Sequence, residues 1–353
     1  MKAVLRSVLL NVAKRIGLFA LARRLTATRL RILCYHGGAI RDENAFRPGL
    51  FMAEATFARR MRHLAEGPYH VIPLEAALDG LDDGGLPDRA VVITIDDGWY
   101  GTYRVMAPVL QRLHFPATLY IASYYLEKQT QVFNVATDYA LWRAGRATLE
   151  LASVDPALRG RYDLADPTQR EAAAALVKER GEALDDARRR QELWRKLCSA
   201  LGIDWQIIES ERIVSYMSPD EARALRANGV DIQLHTHRHR LPRTGFGDVK
   251  AELEDNRRAL SRVTDRPLRH FCYPSGMHTP DQIAHLERLG IASATTTDPG
   301  FNRPGGPRLR LRRLVDSDIV TDIEFEAEMS GLLELGRRLR TGPSVRDIPG
   351  TRR

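Results

Sequence analysis

Ala90-Val-Val-Ile-Thr-Ile-Asp-Asp-Gly98 is an unbroken apolar run that stops on two carboxylates and a glycine. A strand apolar on both faces must be covered on both, as in the parallel sheets of α/β proteins. Five more runs share this form: Arg31–His36, Pro116–Ala122, Val230–Leu234, Arg269–Tyr273 and Ile291–Thr296. Helical periodicity occupies Ala53–Glu66, Tyr103–Leu113, Pro219–Asn228, Gly247–Val263 and Pro280–Leu289 between them. The alternation predicts a parallel sheet covered by helices. Six or seven such units suit a barrel better than an open sheet, with the polar strand ends gathered on its catalytic face.

The chain has 353 residues, 44% hydrophobic and 28% charged, which allows a sizeable core and excludes wholesale disorder. Cys34, Cys198 and Cys272 are odd in number and far apart, so no disulfide framework is expected. There is no apolar run long enough to span a bilayer and no good signal peptide, which makes a reducing, cytoplasmic location the expectation. The net charge of +8 is unevenly placed: residues 1–41 carry +9, residues 332–353 carry +4, and the body between carries −5. A domain that reads nucleic acid would carry its basic surplus on the body, so no nucleic-acid partner is expected.

Three segments stand outside the alternation. Residues 1–30 read as a basic amphipathic helix, with Leu5, Val8, Leu9, Val12, Ile16 and Phe19 on one stripe. Residues 1–24 could bind an anionic membrane peripherally, at the inner membrane surface, or pack on the barrel through the same stripe. Residues 124–212 are rich in Ala, Arg, Glu and Leu and read as a helical insertion in a barrel spanning 31–331. Residues 332–353 read as a basic, disordered tail.

Chemistry concentrates at the strand ends. Adjacent residues of an extended strand point to opposite sides, so one of Asp96 and Asp97 can bind a metal while the other acts on a proton. In His235-Thr-His-Arg-His239 the i, i+4 spacing puts two imidazoles on one side of a helical turn. Joined with Asp97, His235 and His239 form an open two-histidine, one-carboxylate site suited to a hydrolytic divalent metal, above all Zn²⁺. In Phe271-Cys-Tyr-Pro-Ser-Gly276, Pro274 restricts and Gly276 frees a backbone that can aim N–H groups at a ligand.

Together these segments resemble the NodB-type polysaccharide deacetylases. Thr94-Ile-Asp-Asp-Gly98 is similar to that family's Thr-Phe-Asp-Asp-Gly, and His235-Thr-His-Arg-His239 to its His-Ser/Thr-x-x-His. Phe271–Gly276 is similar to its Arg-containing third motif, and the supporting likenesses are Leu33–His36, Phe115–Thr118 and Thr295–Gly300. The resemblance covers about residues 31–123 and 213–316 and implies a distorted (β/α)7 barrel, here with a helical insertion. It implies a metal-dependent hydrolase that removes N-acetyl groups from an amino-sugar polysaccharide, oligosaccharide or lipid-linked glycan. Asp97, His235 and His239 would hold the metal, and Asp96 would be the base that takes a proton from the attacking water. An N–H near Tyr273 or Ser275, in the Tyr273-Pro274-Ser275-Gly276 turn, would help to hold the oxyanion. The chain departs from the family twice. The motif-three Arg is Cys272, for which Arg312 or Arg313 could substitute. The late His that serves as general acid is absent, and His36, then His278, are its expected replacements. Two other functions compete: hydrolysis of another non-peptide C–N bond on this fold, and a catalytically impaired sugar-binding barrel.

Overall fold

The computed structural model describes residues 2–145, 147–184, 186–243 and 245–341. The apolar runs become parallel strands: β1 (Arg31–Tyr35), β2 (Ala90–Ile95), β3 (Thr118–Ile121), β4 (Asp231–Leu234), β5 (His270–Cys272), β6 (Ser293–Thr295) and β7 (Leu314–Val315). Their order across the sheet is β6-β5-β4-β3-β2-β1-β7, with His70–Val71 adding a short strand beside the start of β2. β1 pairs over its full length with β2, from Arg31 opposite Val91 to Tyr35 opposite Ile95. Leu311, just ahead of β7, bridges to Thr295 of β6, so the curled sheet closes into a ring.

The strands carry apolar side chains on both faces for the reason the sequence indicates. Ile93, Leu119, Ile232 and Phe271 are fully buried, with Phe57, Met61, Leu225 and Leu253 of the surrounding helices in the same core. Each such side chain stabilises the fold by about 1.5–3 kcal/mol relative to exposure. Parallel strands of one register place all their C-terminal ends, hence His36, Asp96, His235, Tyr273 and Asp316, on one rim.

The insertion has its own core. Helices Phe133–Arg143, Pro167–Glu182 and Ala187–Ala200 enclose Trp194, whose indole N–H donates to Ala136 O at 2.9 Å. The insertion is not purely helical, because Thr148–Glu150 and Arg161–Asp163 pair as an antiparallel hairpin. Trp99 and Tyr216 belong to this second core, so it abuts the strand-end rim.

The two ends of the chain differ from expectation. The single helix expected over residues 1–30 is instead two, α1 (Lys2–Arg15) and α2 (Leu18–Leu25), separated at Gly17, whose left-handed φ of 84° breaks the run. They pack against α3 (Asp322–Ser330) and α4 (Leu332–Thr341). Residues 332–341 are therefore helical, and the remainder of the expected disordered tail, 342–353, lies outside the described residues. The helix meets the barrel through Leu10 and Phe19, against Ala327. Of the stripe read from the sequence only Phe19 is buried, while Leu5, Val8, Leu9, Val12 and Ile16 face outward.

Candidate metal centre

The chain leaves β2 through a tight turn. Asp97 holds a left-handed φ of 75° and Gly98 one of 101°, where an added Cβ would also meet the Ile121 side chain at 3.1 Å. This turn, more than strand alternation, separates the two carboxylates. Asp97 Oδ1 lies 3.2 Å from both His235 Nε2 and His239 Nε2. Its Oδ2 accepts from the Trp99 indole N–H at 2.7 Å, and Trp99 is wedged between Phe51 and Tyr216.

His235 begins where β4 ends. Its backbone N–H donates to Asn256 Oδ1 at 3.0 Å, and Nδ1 donates to Cys272 O at 2.8 Å. Nδ1 carrying the proton leaves the Nε2 lone pair facing a carboxylate oxygen, an arrangement that calls for a shared proton or a cation. Electrostatics agree. Burial alone would push the Asp97 carboxyl up and the His235 imidazole down. The histidines instead hold Asp97 well below the carboxylate range, while the Cys272 and Asp97 side chains push His235 well above its ordinary value. The spot is built for positive charge, and the donor set fits a divalent ion with open positions.

The two imidazoles do not share a helical turn. Thr236 and His239 have left-handed φ values of 64° and 56°, so residues 235–239 form a loop that folds His239 back over His235. Arg238 fastens the loop from behind through its 2.7 Å ion pair with Glu252.

Asp96 is buried beside this set, with the thiols of Cys34 and Cys272 against its Oδ2. Arg313, fully buried, grips it with two hydrogen bonds of 2.7 Å, Nη1 to Oδ1 and Nη2 to Oδ2. Its other N–H groups reach Thr296 O at 2.8 Å, Thr94 Oγ1 at 3.1 Å and Cys272 Sγ at 3.2 Å. Such a bidentate fork is the strongest neutralisation a carboxylate can receive from one side chain. Burial pushes the Asp96 carboxyl up, but Arg313 outweighs it and leaves it at about 2. Asp96 is thus ionised at neutral pH, with lone pairs to spare for a proton. Arg313, directly ahead of β7, reaches the carboxylate that Cys272 also touches at 3.3 Å. Arg312 does not: its backbone pairs with the Asn302 side chain instead.

His36, half-buried at the end of β1, places a ring nitrogen within 4.8 Å of Cys34 Sγ and an Asp96 oxygen. His278 is held by the turn, with Nδ1 donating to Gly276 O at 3.2 Å and its ring on Tyr273. In that turn the Tyr273 N–H is already given to Thr295 O at 3.1 Å, so it is no oxyanion donor. Pro274 has no N–H, and Gly276 N–H donates to Tyr273 O at 2.8 Å. That leaves Ser275, exposed and at a φ of 57°. Gly276 is required because an added Cβ would fall 2.0 Å from Thr297 Oγ1.

Sequence reasoning missed Trp99 and Asn256. Trp99 directly follows the Asp-Asp-Gly turn, and an indole donor at that place was the available signal. Asn256 lies mid-helix and links the His235 N–H to Ile121 O and Ser123 Oγ, which no local pattern announces.

Comparison with known proteins gives a consistent picture. Residues 203–294 match the polysaccharide deacetylase family model, a span that contains His235, His239 and the 271–276 turn. No curated protein matches the sequence significantly. Among solved structures, the Streptococcus pyogenes deacetylase PplD, in complex with acetate, is 15% identical with a TM-score of 0.56, over 87% of this chain and 98% of that one. IcaB from Ammonifex degensii is 17% identical at 0.54, over 86% and 96%. A de-N-acetylase from Aggregatibacter actinomycetemcomitans is 15% identical at 0.52, over 85% and 99%. At these identities the likeness is one of fold: the ring of seven strands is the deacetylase (β/α)7 barrel.

Proposed function

We propose that this hydrolase of C–N bonds, whose residues 203–294 match the polysaccharide deacetylase family model, removes N-acetyl groups from amino sugars within a glycan. The observation that carries the reading is the pairing of two neighbouring carboxylates with opposite tasks. Asp97 faces two histidines, and Asp96 is fixed as an anion by Arg313. A divalent cation held by Asp97, His235 and His239, most simply Zn²⁺, would supply an acidic water and a positive charge for the carbonyl oxygen.

The chain's own residues account for the rest. Asp96 takes the proton of the attacking water, a task for which its ionised state is the starting condition. His36, next to Asp96 on the same rim, returns a proton to the amine that leaves. The Ser275 N–H offers a backbone donor for the developing oxyanion. Beside the His235–His239 loop, Tyr124, Tyr125 and Phe133 line a cleft with Gln131 and Arg190. Aromatic walls with a few polar groups suit a neighbouring sugar unit.

The impaired-barrel alternative rested on the missing motif-three Arg and the missing late His. The guanidinium of Arg313 on Asp96 and the imidazole of His36 beside that carboxylate support the catalytic reading instead. The test is a screen of acetylated amino-sugar oligomers, with cyclic imides and ureides as controls, with and without chelator. Chelator-sensitive release of acetate supports the reading. Turnover confined to the imides or ureides, or none on any acetylated sugar, would refute it.

A further inference from the structure

The barrel buries one side of the N-terminal helices and leaves another apolar side uncovered. α1 is seated through Leu10, and Phe19 and Ala22 of α2 are buried as well. Arg6 with Glu324, at 3.1 Å, and Lys14 with Glu326 pin α1 along α3. The outward row is therefore not a docking face that missed its place. Leu5, Leu9 and Ile16 are 60%, 60% and 67% exposed, Val8 and Val12 lie between them, and Leu21 and Leu25 of α2 extend the row. Single exposed apolar residues are ordinary, but five at helical spacing along α1 and the turn that follows it, with Leu21 and Leu25 exposed on α2, mark a surface that something covers.

The charge on these helices identifies the cover. Residues 1–41 contain no Asp or Glu, and Arg15 and Arg24 are exposed on the same two helices. Arg6 and Lys14 are paired with Glu324 and Glu326. Two copies meeting through this face would still bring the exposed Arg15 and Arg24 of one near those of the other, with no acid on either helix pair to offset them, which like-charge repulsion opposes. A sheet of anionic headgroups over hydrocarbon complements both features, taking the apolar row into the acyl boundary and the arginines among the phosphates. α1 has 14 residues, about 21 Å of helix, and among the described residues no helix is long and apolar enough to cross a membrane. Helices of this kind lie in the surface plane.

We infer that the outward face of α1 and α2 is a docking surface for an anionic lipid bilayer, holding the barrel at the membrane surface. The inference is independent of what the barrel hydrolyses, and its test reads binding alone. Full-length protein is co-sedimented with vesicles of phosphatidylcholine containing phosphatidylglycerol and with pure phosphatidylcholine vesicles, at about 50 mM and about 500 mM salt. The triple variant Leu5→Gln/Leu9→Gln/Ile16→Gln changes only exposed side chains, and circular dichroism checks that it folds.

Wild type should bind the anionic vesicles at low salt, with partitioning weakened about tenfold or more by high salt or by omitting the anionic lipid. The triple variant should lose a further tenfold or more, and Arg15→Gln/Arg24→Gln should mute the dependence on anionic lipid. Absence of binding at low salt, or binding that the apolar substitutions leave unchanged, would overturn the inference. So would a dimer in sedimentation equilibrium that Leu9→Gln dissociates, because the face would then belong to a second copy.

Discussion

Arg313→Met tests how the carboxylate beside the metal centre is held. Methionine keeps an unbranched apolar stem, ending about where arginine carries Nε, and removes the five donors. Both 2.7 Å bonds to Asp96 disappear with the contacts to Thr94, Thr296 and Cys272. Asp96, 3% exposed, would be left as a buried anion without its cation. Leaving one partner of a buried pair costs about 3–5 kcal/mol. Proton linkage gives a separate figure: a carboxyl held at about 2 against about 3.9 in the unfolded chain stabilises the fold by roughly 2–3 kcal/mol at neutral pH. The folded value is the depressed one, so this stabilisation is complete above about pH 4 and fades as pH falls towards 2. The difference between wild type and variant should be largest in urea unfolding at pH 7, and shrink as pH falls first below the variant's raised carboxyl value and then through that window. With burial unopposed, the Asp96 carboxyl should rise above the ordinary range, moving the acid limb of kcat/KM upward. Adding Asp96→Asn should restore part of the lost stability without restoring activity. An Arg313→Met protein within about 1 kcal/mol of wild type at pH 7, with the acid limb unmoved, would refute the reasoning.

Three further outcomes follow from the same geometry. Asp96→Asn should retain bound metal in elemental analysis while losing turnover by about 10²–10⁴-fold. Trp99→Phe removes the donor to Asp97 Oδ2 and should weaken metal binding about 10–100-fold in a chelator competition, with the fold intact by circular dichroism. Cys272→Arg, which writes the family's motif-three residue back into the chain, should lower the melting temperature and leave kcat no higher, because a second guanidinium would be buried against Arg313.

The Ala90–Gly98 run was readable because a strand buried on both faces leaves no alternation to misjudge, and the carboxylates that end it stand out against it. The His235/His239 pair was readable as a pair, but the helical-turn explanation was wrong, since backbone φ at Thr236 and His239 is set by the loop's tertiary contacts. β7 has two residues, too few to show any period. Arg313 therefore could be offered only as one of two candidates, and its bond to Asp96 spans 217 residues of sequence. The hairpin in the insertion is hidden for a similar reason: three-residue strands within a stretch of strong helix formers leave no periodic signal. At the N-terminus the helix was legible and its seating was not. α1 carries apolar residues on more than one side, and periodicity cannot say which side, Leu10 or Leu5 and Leu9, meets the barrel.

The central claim is that hydrolysis is centred on a metal held by Asp97, His235 and His239 with Asp96 as base. The most direct measurement titrates chelator-stripped protein with Zn²⁺ and follows acetate release from an N-acetylglucosamine oligomer. The account predicts a rate that climbs to a plateau at about one ion per chain, with Asp96→Asn remaining flat throughout. Acetate release at the same rate before any Zn²⁺ is added, or an Asp96→Asn curve that matches wild type, would contradict it.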